Sequence, residues 1–413
     1  MSRLVWAPRL LFVAAGIILV LTLSPGEPGA TTPGIGCFAC GSRGLADALL
    51  NVALYVPLGI AFGLWGRSTV WVCLIALALS GTVELTQVFL PGRDANIGDV
   101  AFNFLGTVAG FWLTRYSHKW LNPSPGAAGG LSALAVVATI ALWASTGWLL
   151  GPVFPTGVYW VDWTPIPKDL EPYHGRVLDA TLGPLKLSPP ALWQTDSVST
   201  LLMNGHSLSV RIAAGPPTDF AVAPILFVQD DLGREVIMLG VDGEDFVFRQ
   251  LNRAVTLHFD RPDLRLFEAL RGVSPGEMVH LSVWRDAGGR DYCLEAHRSR
   301  SCSAGFTVGI GWAFLFYIER LPPWAIKILN LMWIVVLVLP VGLWARWSWP
   351  TLGAAGGLLA AAALLPGAVG LQPTPPLEYA AVLSGIALGH VLYTVASARR
   401  GRLTGASMSS GPG

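Results

Sequence analysis

The sequence predicts a polytopic α-helical membrane protein of about eight spanning helices, joined to an extracytoplasmic all-β region. Three observations carry this reading. Hydrophobic residues make up 53% of the chain and charged residues only 13%, about half the charge of an ordinary soluble protein. The charge is also unevenly placed. Residues 153–324 hold 35 charges, 15 basic and 20 acidic, while the other 241 residues hold 18. Finally, the hydrophobic period changes from helical to alternating between about 155 and 315. This composition excludes an ordinary soluble enzyme and a disordered chain. A net charge of +1 without a basic run gives no nucleic-acid signature.

A spanning helix needs roughly 20 mostly apolar residues. Eight windows qualify, at about 8–24, 46–66, 70–90, 97–115, 131–152, 326–345, 351–371 and 377–397. They divide the chain into a four-helix part (1–120), a fifth helix (131–152), a β region (155–315), three C-terminal helices (326–397) and a tail (398–413). Internal residues such as Pro57, Gly59 and Pro366 are compatible with membrane helices, where neighbours re-satisfy freed backbone groups. With the N-terminus in the cytoplasm, the inner ends carry Arg3, Arg9, Arg67, Arg115, Lys119, Arg346, Arg399, Arg400 and Arg402. The short outer segments carry Arg43, Arg93 and Lys327. That bias predicts a multi-pass protein of the cell (plasma or inner) membrane, with both termini cytoplasmic and residues 153–324 extracytoplasmic. The first window is alternatively a signal peptide, although Pro25, Gly26, Glu27 and Pro28 follow it in place of a small-x-small cleavage site.

In the β region, Val279, Leu281 and Val283 alternate with His280, Ser282 and Trp284. Val255, Leu257 and Phe259 alternate with Thr256 and His258, and Tyr292, Leu294 and Ala296 with Cys293 and Glu295. Asp231-Leu232-Gly233, Asp242-Gly243 and Ala287-Gly288-Gly289 read as turns between strands. Such short strands predict an antiparallel sandwich or barrel, with no helix longer than about 263–271. Asp230, Asp231, Asp242, Glu244 and Asp245 have the oxygen chemistry for calcium, but in hairpin turns Asp is favoured for turn geometry itself. No metal site is predicted. Cys293 and Cys302, nine residues apart in an oxidising compartment, are disulfide candidates. Cys37 and Cys40 form a Cys-x-x-Cys in the first outer loop. It reads as a structural or labile disulfide, with redox and zinc readings disfavoured by the absence of a βαβ pattern and of further nearby ligands. Cys73 reads as a small buried hydrophobe.

The polar residues inside the apolar windows are the most informative. Glu84 and Gln87 interrupt the third window, Asp99 and Asn103 the fourth, and Asp47 and Asn51 the second. Charges in hydrocarbon cost about 2.5–3.5 kcal/mol on insertion scales and usually face a bundle interior or a wet cavity. Each pair shares one helix face through its three- or four-residue spacing. Counting from the turn that carries Pro91, Gly92, Arg93, Asp94 and Asn96, Glu84 and Asn103 lie about 10 Å below the outer helix ends, and Gln87 and Asp99 about half as deep. The expectation is an outward-opening site of Asp47, Asn51, Glu84, Gln87, Asp99 and Asn103, with Arg93 at its mouth pairing with Glu84 or Asp99. The competing reading is a polar cluster that holds the helices together.

Two resemblances follow from these residues. The stretch 275–296 is similar to the central hairpin of a laminin-G or concanavalin A-like jelly roll, which implies a two-sheet sandwich of a kind often used to bind glycans or proteins. Residues 8–116 resemble the VanZ-like family in having Asp47, then Pro57-Leu58-Gly59, Glu84 with Gln87, Arg93, Asp99 with Asn103, and Gly106 with Gly110. They depart from the family pattern at Asn51, where many members carry His. That family is named for a protein that lowers teicoplanin susceptibility, so the resemblance implies a cell-envelope role and supplies no mechanism.

The leading functional expectation is an envelope protein that binds or remodels a membrane lipid or lipid-linked glycan on the outer face, while the sandwich contacts a glycan or protein partner. The alternatives are a membrane enzyme or flippase using Glu84 or Asp99 as acid or base, and a scaffold for the outer domain. The sequence offers no nucleophile with an obvious base, no metal cluster and no phosphate loop, and no cofactor is expected.

Overall fold

A computed structural model of the chain describes residues 3–25, 38, 41–93, 95–155, 157–166, 170–189, 191–192, 195–218, 222–285, 291–316, 318, 321–345 and 349–408. Cys37, Cys40, Asp94, Arg346 and the Ala287-Gly288-Gly289 turn lie outside these residues. The chain forms two compact units. One comprises residues 1–131 with 257–260 and 314–316, the other residues 132–256, 261–313 and 317–413.

The first unit holds α1 (Arg3–Leu23), α2 (Gly44–Trp65), α3 (Thr69–Gln87), α4 (Ile97–Arg115) and the short α5 (Ser117–Leu121). The ends follow from local chemistry. Gly66 closes α2 in the left-handed conformation at φ 72°, its N–H donating to the Gly63 carbonyl, as a C-terminal glycine does. The Ser68 side chain accepts from the Trp71 N–H to start α3, and Asn96 accepts from the Asp99 N–H to start α4. Along their length α2 and α4 meet through glycine. A Cβ added at Gly59 would lie 1.9 Å from the Thr107 carbonyl oxygen, and one at Gly106 or Gly110 would lie 2.2 or 2.1 Å from those of Val52 and Val56. This is the small-residue packing of membrane helices, which brings backbones close where lipid removes the hydrophobic drive for association. Ala14, Ile18, Tyr55, Leu58, Phe62, Val72 and Phe111 fill the core beside it.

In the second unit, α6 (Pro125–Leu150), most of which belongs here, leads into the β region. That region runs through β1 (Tyr159–Trp163), β2 (Arg176–Leu182), β3 (Leu185–Lys186), β4 (Ala191–Leu192), α7 (Thr195–Met203), β5 (Leu208–Ala213), β6 (Ala223–Gln229), β7 (Glu235–Asp242), β8 (Asp245–Gln250), α8 (Arg253–Thr256), β9 (Leu264–Leu266), β10 (Met278–Arg285), β11 (Tyr292–Ala296) and β12 (Ser299–Ala304). A 3₁₀ segment at Val308–Phe314 then precedes α9 (Pro323–Trp344), α10 (Trp349–Val369) and α11 (Pro376–Met408). The strands form two six-stranded sheets, ordered β4-β1-β6-β7-β8-β9 and β12-β11-β10-β5-β2-β3. Every described pairing is antiparallel. Residues from both sheets, among them Val161, Ile225, Leu239, Val210, Leu281 and Leu294, share one core. The described strands form two open sheets and no closed barrel.

Two local expectations are corrected. Among the described residues, the longest helix of the β region is α7, whereas 263–271 holds strand β9 and a turn. The alternating residues 255–259 are not a strand. Asn252 Oδ1 accepts from the Val255 N–H at 3.1 Å to start α8, after which His258 turns at φ 60°. A capping side chain overrode the two-residue alternation. In the hairpins, Cys293 is bonded to Cys302. The turn carboxylates face arginines: Asp230 with Arg234, Asp242 and Asp245 with Arg265, and Glu244 with Arg271.

Among the described residues, eight helices are long and apolar enough to cross a membrane. They expose large apolar side chains such as Phe12, Val20, Val70, Leu134, Val336 and Leu364, a surface that only lipid or a partner would cover. The chain is a polytopic helical membrane protein with a two-sheet β region between its fifth and sixth spans.

Candidate functional site

The polar residues of α2, α3 and α4 separate into one connected line and three side branches. The line starts at Asn51, whose Nδ2 donates to Asp99 Oδ1 at 2.7 Å. The other Asp99 oxygen, Oδ2, accepts from Asn96 Nδ2 at 3.2 Å, and the Asp99 N–H donates to Asn96 Oδ1 at 2.9 Å. The Asn96 N–H donates in turn to Glu84 Oε2 at 2.9 Å. Three helices therefore converge on the first turn of α4, where backbone N–H groups and the helix dipole favour negative charge. Glu84 is 7% exposed, while Asn51 and Asp99 are half-buried.

The branches lead elsewhere. Asn103 Nδ2 donates to Ser80 Oγ at 2.9 Å, one turn deeper in the bundle than Glu84. Glu84 and Asn103 do not meet, because the chain continues past α3 with tight turns (the Phe89 N–H donates to Thr86 and the Leu90 N–H to Gln87), which shifts the antiparallel register by one helical turn. Gln87 Nε2 donates to the Thr22 carbonyl of α1 at 2.9 Å. Arg93 pairs with neither Glu84 nor Asp99. Its Nε and Nη2 donate to the Ser24 and Leu21 carbonyls at 2.7 and 2.9 Å. A helix C-terminus leaves carbonyls without partners and carries partial negative charge, so it competes successfully for a nearby guanidinium.

Asp47 lies in the first turn of α2, 4.0 Å from Arg43, with its side chain 54% exposed. Arg43 makes a closer ion pair, 2.8 Å from Asp260, and donates to the Leu315 carbonyl at 3.2 Å. The His258 carbonyl accepts the Leu45 and Ala46 N–H groups at the start of α2. Residues 257–260 and 314–316 thus cap the helix within the first unit. Burial, opposed by Arg43 and reinforced by Asp47, pushes the Asp260 carboxyl up to about 6.

Residues 12–118 match the VanZ/LLP1 family model. No curated protein and no solved structure matches the chain. The VanZ-like segment contains every member of the connected line, Asn51, Glu84, Asn96 and Asp99, together with Asp47, Gln87, Arg93, Asn103 and the glycines that press α4 onto α2.

Sequence reasoning missed three of the participants. Asn96 was legible as an N-cap three residues before Asp99, a pattern that also joins it to the acid. Ser80 had the weaker signal of a lone hydroxyl one turn from Glu84. Asp260 had none, since it joins this unit from far along the chain.

Proposed function

We propose that the VanZ-like segment binds the hydroxyl-bearing head of a lipid-linked or glycan ligand in the outer leaflet, with both termini of the chain cytoplasmic and residues 153–324 outside. The observation that carries this reading is the pairing pattern of the charges. Among the described residues, Glu84 and Asp99 are held by amides alone, while the nearby cations are engaged with other groups, Arg93 with α1 carbonyls and Arg43 with Asp260. Carboxylate and amide oxygens without a cation call for hydrogen-bond donors, which sugar hydroxyls supply, and such charge-assisted bonds are the stronger kind. A phosphate would meet two carboxylates whose neighbouring guanidiniums are already engaged. The two-sheet region then acts as a jelly-roll-like module toward a glycan or protein outside the cell, and loss of the protein alters envelope lipids and glycopeptide susceptibility.

The test uses the full chain in phosphatidylcholine nanodiscs, with glucosyl diacylglycerol, phosphatidylglycerol and free maltose as probes. Glucosyl diacylglycerol is expected to bind, and Glu84→Gln and Asp99→Asn to weaken it. Preference for phosphatidylglycerol, or binding that neither variant changes, overturns the proposal. Binding of maltose alone would assign a soluble glycan in place of a glycolipid.

A further inference from the structure

The helices after the β region repeat those before it. Residues 323–394 align with 44–115 without a gap, each position displaced by 279. Gly63-Leu64-Trp65-Gly66-Arg67 meets Gly342-Leu343-Trp344-Ala345-Arg346, and Asn51 meets Asn330. Asp99, Gly106 and Gly110 meet Glu378, Gly385 and Gly389. The starts of α2, α3 and α4 at Gly44, Thr69 and Ile97 correspond to those of α9, α10 and α11 at Pro323, Trp349 and Pro376, to within one residue. In chain order α6 stands where α1 stands, and the β region occupies the connection that the first set makes with residues 24–43.

The packing repeats as well, with one displacement. A Cβ at Gly106 or Gly110 would strike the carbonyls of Val52 and Val56, and one at Gly385 or Gly389 those of Val335 and Leu339. Val335 is the counterpart of Val56, and Leu339 of Ile60. The glycines of α11 therefore meet α9 one turn, about 5.4 Å, away from the register of α4 on α2. That displacement parts the polar pair. Asn51 donates to Asp99 in the first set, whereas in the second Glu378 accepts from the Thr307 hydroxyl and Asn330 Oδ1 accepts from the Trp312 indole N–H at 2.7 Å. Gly309 is wedged between them: a Cβ there would lie 2.7 Å from Glu378 Oε1 and 2.9 Å from Asn330 Cβ. Glu378 is 3% exposed, and its Oε2 has no hydrogen-bond partner among the described residues.

We infer that α6 and α9–α11 are a second copy of the four-helix unit, and that Asn330 and Glu378 form a second binding site for a hydroxyl-bearing head, which the chain's own residues 307–312 occupy. The ligand class rests on the function proposed above. The Thr307 hydroxyl and the Trp312 N–H supply the donors that a ligand would bring, and a glycine backbone is slim enough to pass between the acid and the amide.

Two variants displace the plug in different ways, Thr307→Ala/Trp312→Ala by removing its donors and Gly309→Val by a clash. Native mass spectrometry of the full chain in detergent with glucosyl diacylglycerol is expected to show one bound probe in the wild type and two in either folded variant. Adding Glu378→Gln should restore one. A folded variant that still binds one probe overturns the second site. If the wild type binds none, the proposed function fails, and the plug is then read by labelling Glu378 with dicyclohexylcarbodiimide in membranes. Labelling in the variants but not in the wild type supports the plug, and identical labelling overturns it.

Discussion

The two-sheet region and the inner polar cluster of the VanZ-like helices treat their carboxylates in opposite ways. In the sheets, five acids end on arginines. Asp263 lies 2.5 Å from Arg249, Asp242 lies 2.7 Å from Arg265, Asp230 lies 2.7 Å from Arg234, and Asp179 and Glu235 pair with Arg211 and Arg261. In α2–α4, Glu84 and Asp99 end on amides, and the guanidiniums go to helix carbonyls or to Asp260. An acid with its own cation is electrostatically complete and holds a structure together. A membrane-embedded acid left on neutral donors keeps a demand for partners, and the proposed function rests on that difference. Content of charge alone would have drawn attention to the sheets, whereas the pairing pattern draws it to α2–α4.

The largest effect should come from breaking a complete pair. Asp263→Ala leaves the guanidiniums of Arg249 and Arg265, which are 9% and 8% exposed, without their shared acid, and removing one partner of a buried pair costs about 3–5 kcal/mol. Chemical unfolding of the full chain in detergent, followed by hydrogen exchange in β8 and β9, measures it. A much smaller loss would mean that these pairs are not what distinguishes the sheets.

Glu84→Gln and Asp99→Asn sharpen the comparison from the other side. Each replaces an acid by an isostere that can still accept from Asn96 or Asn51, so thermal stability should move by less than about 1.5 kcal/mol, the scale of a typical net hydrogen bond, while probe binding falls. A loss as large as that of Asp263→Ala would make them structural acids after all.

The Asp260 carboxyl, paired with Arg43 beside the start of α2, predicts a pH dependence. A carboxyl raised from 3.8 to about 6 holds its proton more tightly in the folded chain than in the unfolded one. Its contribution to stability is therefore full below pH 3.8 and is lost as pH rises through 6. Exchange at the Leu45 and Ala46 amides, corrected for the intrinsic rate, should be better protected at pH 5 than at pH 7.5. Asp260→Asn should flatten the difference, and an unchanged profile would show that this group does not support the helix end.

The smallest effect belongs to the deep pair. Asn103→Leu removes the bond to Ser80, and interhelical bonds of this kind average about 0.6 kcal/mol. Thermal unfolding of the detergent-solubilised chain would show whether Asn103 contributes only at that scale. A loss of several kcal/mol would place it with the structural pairs of the sheets.

Much of this organisation was written in local patterns. The spans are runs of apolar residues long enough for a bilayer. Strands such as β10 and β11 follow a two-residue period, and Glu84, Asp99 and Asn51 stand out as polar residues in apolar windows. The alternation at 255–259 misled because a single capping side chain, Asn252, decides the backbone there, and period counting does not see capping geometry. Arg93 misled because proximity to two acids says nothing about the carbonyls at the end of α1.

The sequence by itself determined the membrane architecture, the place of the β region and which acids lie within apolar spans, because those depend on composition and on periods of a few residues. Only the tertiary structure decided who pairs with whom. Register between antiparallel helices changes by a full turn when a connecting loop tightens, so Asn103 meets Ser80 and not Glu84. The capping of α2 by the His258 carbonyl and the Arg43–Asp260 pair beside it depend on segments brought together from distant parts of the chain, for which no local pattern exists.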